Sequence, residues 1–285
     1  MRWLLQLPKK ARSGSRPRCI LMMDGPPAEV AIRLSQLIGL AAVGVSADDK
    51  WMPRGTPTRR EDGGWDLRCA DEAKLGSPNE LLPLDVRKEL KDWWLAVTNR
   101  ANTPNWDIAS TCTIKGKAGL LLVEAKAHHG ELEYEDGGKR TVGNERNHER
   151  IGTCIADASR EISRETCLKW KLSRDSRYQM SNRFAWAWRL TQLGYPVILV
   201  YLGFVNATEM GNGRRLISDA SDWGTAIHNH SRPLFPADVW NREWIVNRVP
   251  LIPLIRTMEV PLAPDLGNEG LELISTASRN VLREA

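Results

Sequence analysis

The segment that most constrains this chain runs Gly119-Leu120-Leu121-Leu122-Val123-Glu124-Ala125-Lys126. Side chains of a strand point alternately to the two faces of its sheet. A run that is aliphatic at every position from Leu120 to Val123 therefore reads as an interior strand covered on both sides. Such a strand calls for a layered α/β domain. The downstream end differs in kind: Glu124 and Lys126 share one face, with Val123 and Ala125 on the other. Burying ionised groups there is costly unless they are paired or hold a metal.

The surrounding sequence supplies the other layers. The short polar link Lys115-Gly116-Lys117-Ala118 predicts an antiparallel hairpin with strands over 105–114 and 119–128. Val30, Ile32, Leu34, Leu37, Ile38 and Leu40 form a broad apolar face, which predicts a helix over 29–45. Ser77-Pro78-Asn79-Glu80 has the form of a capping box opening a helix that runs to about Ala96, with Pro83 able to delay or kink its start. Ile151, Ile155, Ala158 and Ile162 predict a helix over 145–164, and a further helix over 177–193 stops at Gly194 before a strand over 197–205. Pro53, Pro57 and Gly63-Gly64 mark 50–76 as loop, and 130–150 reads as a solvated polar excursion. The expected organisation is one large domain: a basic arm, helix and loop region over 1–76, a core over 77–210, and a Trp- and Pro-rich extension over 211–285 packed on that core. One early core strand has no clear place in this reading.

Composition narrows the function classes only gently. Hydrophobic residues at 42% and charged residues at 26% describe an ordinary globular chain. A net charge of +5 with a pI near 9.0 leans towards polyanionic partners without demanding one. The five cysteines show no two-residue spacing, so they read as scattered reduced thiols rather than zinc or redox motifs. No apolar run approaches the roughly 18 residues of a membrane span, and Met1–Leu7 is too short for the apolar part of a signal peptide. The expected location is the cytoplasm, with no membrane partner. The twelve tryptophans read as core or interface residues rather than as sugar or base platforms. No glycine-rich phosphate loop and no serine-nucleophile elbow occur.

The chemistry concentrates in Asp107, Glu124 and Lys126. Asp107 lies seventeen positions before Glu124, room for the rest of one strand, a turn and most of the next. If the hairpin register permits, two carboxylates and an ammonium share one patch, the kind of oxygen-donor set that suits a small hard cation. This arrangement resembles the PD-(D/E)xK phosphodiesterase superfamily, which has the restriction-endonuclease-like fold. The family's proline before the aspartate is displaced, since Pro104 stands three positions earlier. More loosely, the resemblance extends from the helix near Glu80 to the strand ending at Val205.

The resemblance implies a restriction-endonuclease-like core, with a central mixed sheet flanked by helices. It also implies a Mg²⁺ ion (Mn²⁺ can substitute) held by Asp107 and Glu124, with Lys126 assisting the attacking water. Cleavage of nucleic-acid phosphodiesters follows, DNA before RNA, in a restriction, defence or repair setting, with a homodimer where paired cuts are made. Such nucleases often add an acid from the preceding helix. Glu80 is the first candidate and Glu89 the second. Weaker nucleic-acid contacts are His128, on the face of Lys126, the cations Lys169, Lys171, Arg174 and Arg177 around Trp170, and Gln179 in the later helix. The rival expectations are a non-catalytic nucleic-acid-binding module of the same fold and a protein in which Glu124 and Lys126 form a structural pair.

Overall fold

A computed structural model describes residues 2–99, 101–133, 138–139, 144–211 and 213–262. Two short helices lead in, α1 (Ser15–Met22) and α2 (Pro27–Ile38). Helix α2 opens on Pro27, whose fixed φ suits the first turn. It ends at Gly39, which takes the left-handed conformation at φ 65°, so the helix stops well short of residue 45. Small strands follow: β1 (Val43–Gly44), β2 (Trp51–Met52), the hairpin of β3 (Thr58–Arg59) with β4 (Trp65–Asp66), and β5 (Ala73–Lys74), which pairs with β6 (Asn105–Trp106). Between β5 and β6 lies α3 (Leu84–Trp94).

The predicted capping box does not form. Pro83 sits at the N-cap of α3, and a residue before proline is disfavoured in the helical region, so no helix passes from Ser77 through Leu82. Asn79 instead turns the chain there, its side-chain oxygen accepting from the amides of Leu81 and Leu82 at 2.9 and 3.1 Å.

The central hairpin is β7 (Ile108–Ile114) with β8 (Lys117–Lys126). Its turn is Lys115-Gly116, both at positive φ, as a two-residue loop between right-twisted strands requires. After α4 (Gly130–Glu133) come α5 (Glu145–Thr166), α6 (Tyr178–Gln192), β9 (Val197–Val205), α7 (Ala220–Ser231), β10 (Trp244–Val246) and β11 (Val249–Glu259). The rest of the predicted 130–150 excursion lies partly outside the described residues, as does the chain beyond 262.

These strands build one mixed sheet in the order β1-β7-β8-β9-β11-β10, with β2 also on β7. Strands β8, β9 and β11 are mutually parallel, and β7 and β10 run against them. The missing early strand is thus two fragments, β1 and β2, each laid antiparallel on β7. The segment after residue 211 supplies β11, an integral strand of the sheet. Pro250 and Pro253 hide it in the sequence, because proline removes a ladder donor.

The sheet has two different faces. Leu120, Leu122, Val197, Leu199 and Tyr201 meet α3, α5, α6 and α7 in a core that holds Trp94, Trp106, Trp170, Trp186, Trp188, Trp223 and Trp240. Leu121, Val123, Ala125, Ile198, Val200 and Leu202 meet α1 and α2 in a largely aliphatic core. Seven of the twelve tryptophans are therefore buried core residues, and Trp93 and Trp244 pack half-buried against the same core. The expected basic arm is not free: α1 lies against the sheet, and Arg18 within it is fully buried. Among the described residues no helix is long and apolar enough to cross a membrane.

Candidate active site at the end of the hairpin

The β7–β8 ladder pairs Ile108 with Val123 as its last step, which leaves Asp107 across from Glu124. Here the first strand leaves its partner. Asn105 and Trp106 pair with β5 instead, so the predicted strand over 105–114 breaks at Asp107. The amide of Ala125 lies just past the end of that ladder, and it donates to Asp107 Oδ2 at 2.8 Å. The fork itself thus recruits the carboxylate, since a buried backbone donor rarely goes without a partner.

Glu124 and Lys126 point to the tryptophan-rich face and are buried at 1% and 6% exposure. Lys126 Nζ donates to Glu124 Oε1 at 2.5 Å. From α6, Gln179 Nε2 donates to the same oxygen, and Arg183 Nε donates to Oε2 at 2.6 Å. Gln179 and Arg183 stand four apart and so share one helix face. Arg183 is in turn anchored through Nη1 to Asn182 Oδ1 at 2.8 Å and through Nη2 to the Asn105 carbonyl at 2.7 Å, with its guanidinium 4.6 Å from the Trp106 ring centre. Burial acts to lower the Arg183 pKa, but Glu124, Tyr201 and Asp107 together hold it above the usual value.

A third acid belongs to this cluster. Glu131, on α4, accepts the Ala127 amide at 2.9 Å, and burial pushes its carboxyl up, opposed by Lys126 and seconded by Glu124. Nothing in the sequence pattern marks it, because a one-turn helix after the strand carries no periodic signal. Arg16 on α1 approaches Asp107 closely enough to interact with it, but it is already tied to Glu72 at 2.5 Å and to the Ala70 carbonyl. Asp107 itself is pushed up to about 7, first by burial and then by Glu124, with Lys126, the Ala125 amide and Arg183 opposing. Asp107, Glu124 and Glu131 thus all lie within electrostatic reach of Lys126, and burial raises both Asp107 and Glu131.

The remaining predicted residues disperse. Glu80 is exposed and lies 3.6 Å from Arg54, and Glu89 pairs with Arg189 at 2.7 Å. His128 is buried, with Nε2 3.7 Å from Glu131, and burial followed by Arg214 and His129 lowers its pKa. Its neighbour His129 meets Asp222 of α7 at 2.8 Å. Lys169 and Lys171 are exposed, Arg174 pairs with Asp175 at 2.9 Å, and Arg177 Nε donates to the His230 carbonyl at 3.2 Å. Of the weak candidates, Gln179 bonds Glu124 directly and His128 touches the cluster only through Glu131.

Among the described residues no three of His, Cys, Asp and Glu gather in a set that could hold a metal unaided. Mg²⁺ asks for less, since it keeps several waters and binds through one or two carboxylates. An ionised carboxylate offers about four lone-pair sites. Lys126, Gln179 and Arg183 occupy three on Glu124, and the Ala125 amide occupies one on Asp107. Hard oxygen donors therefore stay open on both residues, which fits a hydrated divalent cation. No family model matches this chain, and no curated protein or solved structure matches it.

Proposed function

We propose that this protein is a Mg²⁺-dependent phosphodiesterase acting on nucleic acid, DNA before RNA, with a restriction-endonuclease-like core. The observation that carries the reading is the fork. It sets Asp107 opposite Glu124 with Lys126 alongside, and burial, seconded by Glu124, pushes Asp107 up to about 7. Asp107 and Glu124 would hold the ion, which when bound polarises the phosphate and acidifies a water. Lys126, its ammonium fixed by Glu124, offsets charge growing on the phosphate oxygens. Arg183 and Gln179 set the orientation of Glu124. The net charge of +5 favours a polyanionic substrate.

One observation favours a second reading, a non-catalytic nucleic-acid-binding module: Glu124 already accepts from three side chains. The deciding experiment incubates plasmid, linear and single-stranded DNA with the protein and Mg²⁺ or Mn²⁺. Wild type is compared with Glu124→Gln, which keeps one acceptor oxygen for its buried cations, and with Lys126→Ala. Cleavage by wild type that falls by about 10²-fold or more in both folded variants supports the enzyme. Binding that weakens steeply with salt, with no cleavage under either metal, supports the module.

A further inference from the structure

Beside the carboxylate cluster lies a cleft of about 300 Å³, at the small end of ligand sites. Gln179 and Arg183 belong to both, so the cleft is the space next to Glu124 on the α6 side. Its chemistry is unlike that of a phosphate site. Among the described residues no carboxylate lines it, and its polar wall is built chiefly from the side-chain amides of Asn102, Asn105, Gln179 and Asn182. Of its two cations, Arg183 is matched by Glu124 and engaged at Nε and both Nη atoms, and Lys139 lies 5.5 Å from the Tyr178 ring centre.

The ion pair fixes how two of these amides face. A carboxylate only accepts, so Gln179 must turn its NH₂ to Glu124, which directs its carbonyl elsewhere. A guanidinium only donates, so Asn182 must turn its carbonyl to Arg183; its NH₂ then meets the Tyr178 hydroxyl with one hydrogen and keeps the other as a donor to the cleft. The two residues are three apart on α6 and share a face. The wall therefore presents an acceptor and a donor side by side, with the phenol ring of Tyr178 next to them. A nucleobase edge carries an adjacent donor and acceptor, and unpaired bases are bound by that edge together with aromatic stacking.

We infer that this cleft receives one unpaired nucleobase next to the bond to be cut, so that the substrate is a single strand or a duplex with an exposed base. This rests on the nuclease reading for its placement, but its test does not depend on cleavage. The full chain is titrated in EDTA against a labelled ten-nucleotide single strand, the same strand with abasic sites throughout, and the corresponding duplex, with binding followed by anisotropy. Deoxy and ribo versions of the strand identify the sugar. The single strand should bind about tenfold or more tighter than its abasic copy, and tighter than the duplex. Tyr178→Leu should weaken the single strand several-fold while leaving the abasic strand unchanged. Asn102→Ala, in an exposed position, gives a second variant if Tyr178→Leu unfolds, with a smaller loss of the same selectivity. Equal affinity for intact and abasic strands, preference for duplex, or no binding to any strand overturns the inference. Base-selective binding without cleavage under Mg²⁺ or Mn²⁺ upholds the cleft and removes the nuclease reading. Cleavage indifferent to abasic sites does the reverse.

Discussion

Two buried arginines, Arg18 and Arg183, pair with glutamates on opposite faces of the sheet, and the two pairs are built differently. On the aliphatic side, Arg18 of α1 meets Glu209 through both Nη atoms at 2.6 Å, one cation against one anion, with Glu209 about a third exposed. On the tryptophan-rich side, Arg183 and Lys126 share Glu124, all three are buried, and Asp107 and Glu131 crowd the same space. The first pair is closed and reaches water. The second sets three carboxylates against Lys126 and Arg183, with Glu124 and both cations buried and Asp107 and Glu131 only partly exposed. An arrangement that only needed to pin a helix would resemble the first. The surplus of carboxylate in the second is a cost to stability that binding of a cation would relieve.

The largest expected effect is at Arg183. Arg183→Met strips Glu124 of one of its two cations with no route to solvent, and should cost about 3–5 kcal/mol of stability in urea melts. A loss no greater than that of Arg18→Met would remove the distinction between the two pairs.

Next comes Asp107, where the sign is set by its raised pKa. An unfolded aspartate titrates near 3.9, whereas Asp107 in the fold titrates at about 7. Between these values the folded protein holds the extra proton, so stability falls as pH rises from about 4 through 7. Asp107→Asn keeps an acceptor for the Ala125 amide but cannot ionise. It should therefore be more stable than wild type at pH 8 by at most about 4 kcal/mol, with the gain vanishing near pH 4. Melts at the two pH values check this, and a pH-independent difference would sink it. In the same window, wild-type cleavage should rise with pH as Asp107 ionises.

The smallest effect belongs to the closed pair. Arg18→Met leaves Glu209 able to reach water, and should cost only about 1–2 kcal/mol. A larger loss in the same melts would mean that the bidentate geometry, not access to water, governs the difference.

Much of this architecture was legible in the residues. The strand over 197–205 and the helices near 145–164 and 177–193 announce themselves, because an aliphatic run or a 3.6-residue stripe is written locally. The hairpin and its turn follow from Lys115-Gly116 and the flanking apolar segments. Other elements were not legible for equally physical reasons. Helix α1 is only eight residues long and carries three charged or proline-bearing positions in its first turn. Strands β1 and β2 are two-residue fragments held by β7, and β11 is disguised by its prolines. Gly203, opposite Lys126 in the parallel ladder, shows the same limit. A Cβ there would stand 2.7 Å from the Trp223 ring, a need no sequence pattern reveals.

The sequence by itself determined that Glu124 and Lys126 end a doubly covered strand and that Asp107 stands near them, because alternation and spacing along one hairpin are local properties. Only the tertiary structure decided what surrounds them. The fork that turns Asp107 to the Ala125 amide, the α6 pair Gln179 and Arg183 on Glu124, and the third acid Glu131 all depend on where separate elements dock. It also set Glu80 aside, since Pro83 holds the chain out of the helix that was to carry it. Charge balance in a buried site is a sum over neighbours from several elements, and those neighbours meet only when the sheet and its helices have packed.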